Sequence, residues 1–167
     1  MQILIRFILL YQLPYLTVDG SLKMPQSLSI ARFLAKKFNL TGADDVANAK
    51  CDVIVDTLQD IAQAYYQKVF GAPKEQQPEA TKKFFAEDAP KHLANVEKLI
   101  GLYGSNGHSV GNSVTWADLY LQDVTHMLHL KDAHVLDKFP HIAKVKQTVE
   151  SHPKVATWLK ARPENAF

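Results

Sequence analysis

Three places in the 167-residue chain bring together side chains that can do chemistry. Gln12, Leu13 and Pro14 put a proline at the start of an apolar run, where a cis bond would turn backbone groups toward a ligand. Gln26 and Ser27 stand at the head of a helical pattern, where a hydroxyl and free amides can hold a carboxylate. The plainer role of Ser27 there is to cap the helix. Asp123, His126 and His129 recur at every third position, so neighbours share a helix face and could touch a divalent metal. Apolar residues are interleaved with them and no further ligand such as Glu accompanies them, so no metal is expected. Cys51 has no neighbours that mark a nucleophile, and no Gly-x-Ser-x-Gly elbow, HExxH or Gly-rich phosphate loop occurs in the sequence. No residue is assigned to catalysis.

The elements that must hold these groups follow from periodicity. Leu13 to Val18 reads as a short strand, Asp19-Gly20 as a two-residue hairpin turn that tolerates positive φ, and Leu22 to Met24 as the returning strand. Ser27 then opens a helix with Leu28, Ala31, Leu34, Ala35 and Phe38 on one face and Arg32, Lys36 and Lys37 off it. After Gly42 no strand is predicted. Helices are expected over 46–70, 78–103, 116–130, 140–151 and 153–161, with Pro90 breaking or restarting the second. Gly101, Gly104, Gly107 and Gly111 gather in the following loop. Thr115 and Asp118 form a capping box, with Val114 and Leu119 as its apolar staple.

Composition narrows the function classes. Hydrophobic residues make up 47% and charged residues 22% of the chain, the range of an ordinary globular protein. A net charge of +2 leaves no nucleic-acid footprint. The charge is uneven: Arg6, Lys23, Arg32, Lys36 and Lys37 face Asp19 alone before residue 42, a surplus of four positive charges. The domain boundary is placed there, giving 1–41 and 42–167. The apolar run Met1 to Tyr11 is too short for a membrane helix and lacks a signal-peptide cleavage site. One cysteine excludes an internal disulfide, and a cytoplasmic protein without membrane or nucleic-acid partners is expected.

Taken together, Gln12-Leu13-Pro14, Val18-Asp19-Gly20, the run Gln26-Ser27-Leu28-Ser29-Ile30-Ala31-Arg32-Phe33-Leu34, Asp52-Val53-Ile54-Val55-Asp56-Thr57-Leu58, Gly111 through Asp118, and Val155 through Pro163 resemble the sigma-class glutathione transferases, a group that includes glutathione-dependent prostaglandin D synthase. The resemblance implies an α+β chain in two parts: an incomplete thioredoxin-like glutathione-binding domain, then an all-α helical bundle. It implies conjugation of glutathione to small hydrophobic electrophiles, or its use in prostaglandin-type isomerisation. A non-catalytic, crystallin-like structural or dimerisation role is the alternative.

By the same resemblance, Gln12, the Leu13 main chain and a cis-Pro14 bind the middle of the tripeptide. Gln26 and Ser27 hold its γ-glutamyl carboxylate, and Asp60 reaches the γ-glutamyl amine bound to the neighbouring subunit of a homodimer. Tyr66 lines the second-substrate pocket. The chain also departs from the pattern. Met1 to Tyr11 stand where the family has a strand, a helix and a strand that carry the catalytic tyrosine. One additional residue falls between Gly20 and Gln26, and Gln59 replaces the third carboxylate of a divalent-metal site beside Asp56 and Asp60.

Overall fold

The computed structural model describes residues 13–163. Gln12 and the first eleven residues, including Tyr11, lie outside the described range. The chain divides into two compact units, Met1–Thr41 and Gly42–Phe167.

In the first unit, β1 (Tyr15–Val18) and β2 (Leu22–Pro25) pair antiparallel with Tyr15 opposite Pro25 and Val18 opposite Leu22. The connection is therefore three residues long, not the expected two. Asp19 (φ 50°) and Gly20 (φ 71°) make the turn, and the Ser21 N–H donates to Val18 O at 3.2 Å. A Cβ at Gly20 would meet nothing, so its glycine answers to the dihedral and not to space. Helix α1 spans Ser27–Lys37. Its apolar stripe is half or fully buried through Ala35, but Phe38 is 61% exposed because the helix has already ended. The end is a Schellman motif: Asn39 is left-handed at φ 56° and the Leu40 N–H returns to Ala35 O at 2.9 Å. Lys36 and Lys37 in the last turn complement the helix dipole.

The second unit is helical. Helix α2 (Asp45–Tyr65) is capped by Asp44, whose carboxylate accepts from the Ala47 N–H at 2.7 Å. It buries Cys51, Ile54, Val55, Leu58, Ile61 and Tyr65. The helix expected to reach residue 70 stays α-helical only to Tyr65 and winds on as a π segment, Tyr66–Phe70. A 3₁₀ turn (Lys74–Gln76) leads into α3 (Gln77–Lys83), a second π segment (Phe84–Asp88) and α4 (Ala89–Tyr103). Pro90 has no N–H to give to the preceding turn, and the winding loosens just ahead of it. The two π segments face each other: Lys68 Nζ bonds Asp88 Oδ1 at 2.6 Å, and the Tyr65 ring stands edge-on to Phe70 and Phe84.

Helices α5 (Trp116–His129), α6 (Pro140–Ser151) and α7 (Pro153–Ala161) complete the bundle. Helix α2 packs on α4 and α5, and α6 packs on α4, α5 and α7. Leu93, Val96, Leu121, Leu128, Ile142, Val145 and Val149 fill the space between them.

Two carboxylates tie distant parts of this bundle together. Asp118, fully buried, accepts from the Thr115 N–H (2.7 Å) and Oγ1 (2.9 Å) on Oδ2. This is the predicted capping contact. Its Oδ1 also accepts from the Ser109 N–H (2.6 Å) and Oγ (2.7 Å), so one side chain anchors the preceding loop to the start of α5. Glu97 on α4 does the same for α6. Its Oε1 accepts from the His141 N–H and Nδ1–H, each at 2.8 Å, and its Oε2 from the Ile142 N–H at 3.0 Å.

Candidate functional site

The first unit places Leu13, Pro14, Gln26 and Ser27 at one end of the β1–β2 hairpin. The Leu13–Pro14 peptide is cis. Leu13 is 77% exposed and precedes Tyr15, where the ladder with β2 begins, so the pairing with β2 does not use its main chain. Across the ladder, Pro25 is the partner of Tyr15, and Gln26 and Ser27 follow it directly. The expected capping role of Ser27 is corrected by the structure. Ser27 is the first helical residue, Gln26 is the cap, and neither side chain bonds the end of α1. No acidic residue lies in the first turn. The amides there and the exposed Ser27 hydroxyl can accept an anion from outside.

Gln26 is the unusual residue. Its φ of 75° and ψ of 112° lie outside the regions that L-residues ordinarily occupy. Such a conformation costs about 1–3 kcal/mol and persists where surrounding structure imposes it.

In the second unit, a cleft of about 830 Å³ opens between the last turn of α2, one face of α5 and the end of α7. Ala62, Val124, Met127, Leu130 and Leu159 form its apolar wall, and Tyr120, Asp123, His126, Lys160 and Arg162 supply its polar groups. The Tyr120 hydroxyl donates to Gln59 Oε1. Burial, and after it the nearby Asp123 carboxylate, pushes the Tyr120 hydroxyl above the usual tyrosine pKa. His126 Nε2 faces Arg162 Nη2 at 2.5 Å and accepts from it, which requires a neutral ring. Burial, then the charges of Arg162 and Lys146, lower the His126 pKa against the weaker pull of Glu150 and Asp123.

The coordinating nitrogen of His126 is taken by a guanidinium, and among the described residues no three His, Cys, Asp or Glu side chains converge as metal ligands. Burial likewise pushes the Cys51 thiol up, so it stays protonated in the core of α2. Tyr66, expected in the second-substrate pocket, is not part of the cleft lining. It is 69% exposed on the π segment, with its ring 5.9 Å from Phe70. Asp60 and Asp56 are exposed one turn apart on α2, beside Gln59. Asp123 and His126 stood out in the sequence only as a spacing pattern, and Tyr120, Lys160 and Arg162 carried no mark there, because these five side chains converge only through tertiary packing.

The family description "Glutathione S-transferase, C-terminal domain" matches residues 59–162. Hematopoietic prostaglandin D synthase of Gallus gallus is 34% identical over 159 residues, covering 93% of this chain and 75% of that protein. Probable glutathione S-transferase 8 of Caenorhabditis elegans is 32% identical over 159 residues, covering 93% of this chain and 76% of its own length. Among solved structures, the glutathione S-transferase from Ascaris lumbricoides superposes with a TM-score of 0.88 at 28% identity, over 99% of this chain and 82% of the other. The motif resemblance is thereby borne out for the family. Matched across its helical unit by the family's own domain, and along nearly its whole length by such relatives, this chain belongs to the glutathione S-transferase family.

Proposed function

We propose that this chain is a sigma-class glutathione transferase that holds glutathione on its first unit and presents it to a small hydrophobic electrophile, or to a prostaglandin-like isomerisation substrate. The observation that carries the reading is Gln26: a strained non-glycine residue stationed ahead of a helix whose first turn has neither a side-chain cap nor an acidic residue. Glutathione has two carboxylates and one ammonium group, so it arrives as an anion. The surplus of four positive charges before residue 42 draws it toward this unit. Its γ-glutamyl carboxylate takes the α1 amides with Gln26 and Ser27. Its cysteinyl unit pairs with the Leu13 main chain as an added strand, with Gln12 and Pro14 framing it.

Asp60, exposed on α2, serves the γ-glutamyl amine held by a second copy in a two-fold dimer. The cleft on α5 takes the second substrate against Val124, Met127 and Leu159. Tyr66, one turn past Ala62, is assigned to the same substrate by the family resemblance.

Chemistry requires the thiolate, since a glutathione thiol titrates near 8.5 when nothing perturbs it. No described side chain is assigned to the sulfur, so binding and turnover are separate questions. Calorimetric titration of glutathione is the test, with a conjugation assay on a generic aromatic electrophile beside it. Saturable binding is expected, weakened in Ser27→Ala by about 1.5–3 kcal/mol, the worth of a hydrogen bond to a charged group. Absence of binding overturns the reading and leaves a structural protein of this family.

A further inference from the structure

A second cavity of about 220 Å³ lies away from every residue assigned above, between the end of α4, the 104–111 loop and the first half of α6. Ile100 and Val145 contribute apolar lining, and Ser105, His108, His141 and Lys144 the polar groups. We propose that this cavity binds a single hydrogen-phosphate group.

The charge lining it is of one sign. Lys144 is exposed at its edge, and none of the lining residues is a carboxylate. Glu97, the carboxylate that holds His141, already accepts at both oxygens from His141 and Ile142. That contact also fixes the His141 ring by Nδ1, which donates to Glu97, so Nε2 is the ring position left for a ligand. His108 is arranged in the opposite sense. Its Nδ1 is buried with no hydrogen-bond partner among the described residues. A buried N–H without a partner is rarer than an underused acceptor, so the proton sits on Nε2, which becomes a donor.

The cavity thus offers donors from Lys144 and His108 and the second ring nitrogen of His141, which accepts when the ring is neutral. A hydrogen-phosphate group matches that set, because it accepts on its oxygens and donates from its P–OH. Sulfate can only accept.

The site is preformed. Asn106 (φ 53°) and Gly107 (φ 81°) turn the loop, and the His108 N–H closes it on Ser105 O at 2.9 Å. A Cβ at Gly107 would come within 2.3 Å of Thr148 Oγ1, so the loop lies directly on α6 and keeps His108 near Lys144 and His141.

The experiment is titration of the full chain with inorganic phosphate at constant ionic strength, following the His108 and His141 ring resonances by NMR. Saturable shifts of both rings are expected, and sulfate should bind more weakly by about tenfold, the worth of one charge-assisted hydrogen bond. Lys144→Ala, a surface change that leaves the core untouched, should weaken phosphate binding by a similar factor. Parallel titration with O-phosphoserine identifies the source: binding of the ester assigns the site to a phosphorylated ligand, and binding of inorganic phosphate alone assigns it to the free ion. Shifts without saturation, equal response to sulfate and phosphate, or unchanged binding in Lys144→Ala would overturn the proposal.

Discussion

Replacing Asp118 by alanine separates two accounts of the same helix start. If the residue only completes a capping box on Thr115, its loss costs about 1 kcal/mol, the usual worth of a cap. The structure assigns it more. Its two oxygens accept from four donors at 2.6–2.9 Å, all buried, and half of them belong to Ser109 in a separate loop. In Asp118→Ala the Ser109 and Thr115 hydroxyls can turn toward other acceptors, but the two backbone N–H groups cannot. Each buried donor left unpaired costs about 1–3 kcal/mol. Recovery of the carboxylate's own desolvation offsets part of that. A net loss of about 4 kcal/mol is expected, which lowers the melting temperature by roughly 8–16 °C for a chain of this size. Asp118→Asn keeps one accepting oxygen and should lose about half as much. Urea unfolding followed by far-ultraviolet circular dichroism reads both, with Thr115→Ala as the capping reference. An Asp118→Ala variant no less stable than Thr115→Ala would refute the four-donor account.

Two further outcomes are expected. Because the His126 pKa is lowered in the folded chain, the unfolded chain binds the proton more readily, so the stability contributed by the neutral ring is present above about pH 6.5 and is lost as pH falls through the folded value. His126→Gln, which can still accept from Arg162, should flatten the fall in urea midpoint between neutral and mildly acid pH. Gln26→Gly removes the strain of a side chain at φ 75° and should stabilise the fold by about 1 kcal/mol after glycine's extra unfolded-state entropy is counted, while weakening glutathione binding in calorimetry.

What could be read from the sequence is what neighbouring residues decide. Pro140 and Pro153 lack the N–H that a first turn does not need, so α6 and α7 begin where those prolines stand. Asp19-Gly20 places the hairpin because few other pairs accept two positive dihedrals in succession. The three-residue loop was not legible, since the pairing of Val18 with Leu22 is settled by the strands and not by the turn. The π segments were missed for a related reason: an apolar stripe at helical spacing looks the same when one turn is wound wider. Ser109 on Asp118, and Glu97 on His141 and Ile142, join residues 9, 44 and 45 positions apart, beyond any local pattern. The α5 cleft belongs to the same class. Its charged lining comes from Asp123 and from Lys160 and Arg162, brought together by tertiary packing alone.

These contacts also divide labour between the two units. In the helical unit, carboxylates from Asp44, Asp118 and Glu97 occupy amides at the starts of α2, α5 and α6, so those helix ends are spent on stability. In the first unit, α1 begins with no such partner and behind a residue held in a conformation that costs free energy. A protein selected for stability alone would place Ser, Asp or Gly at position 26. Gln26 is instead a residue whose amide can reach a ligand, kept in a strained conformation that directs it beside an open helix start. Stabilisation by Gln26→Gly with loss of glutathione affinity would show that the strain is maintained for binding. Destabilisation would show that the Gln26 side chain is itself a structural contact, and would remove the main support for placing the γ-glutamyl carboxylate there.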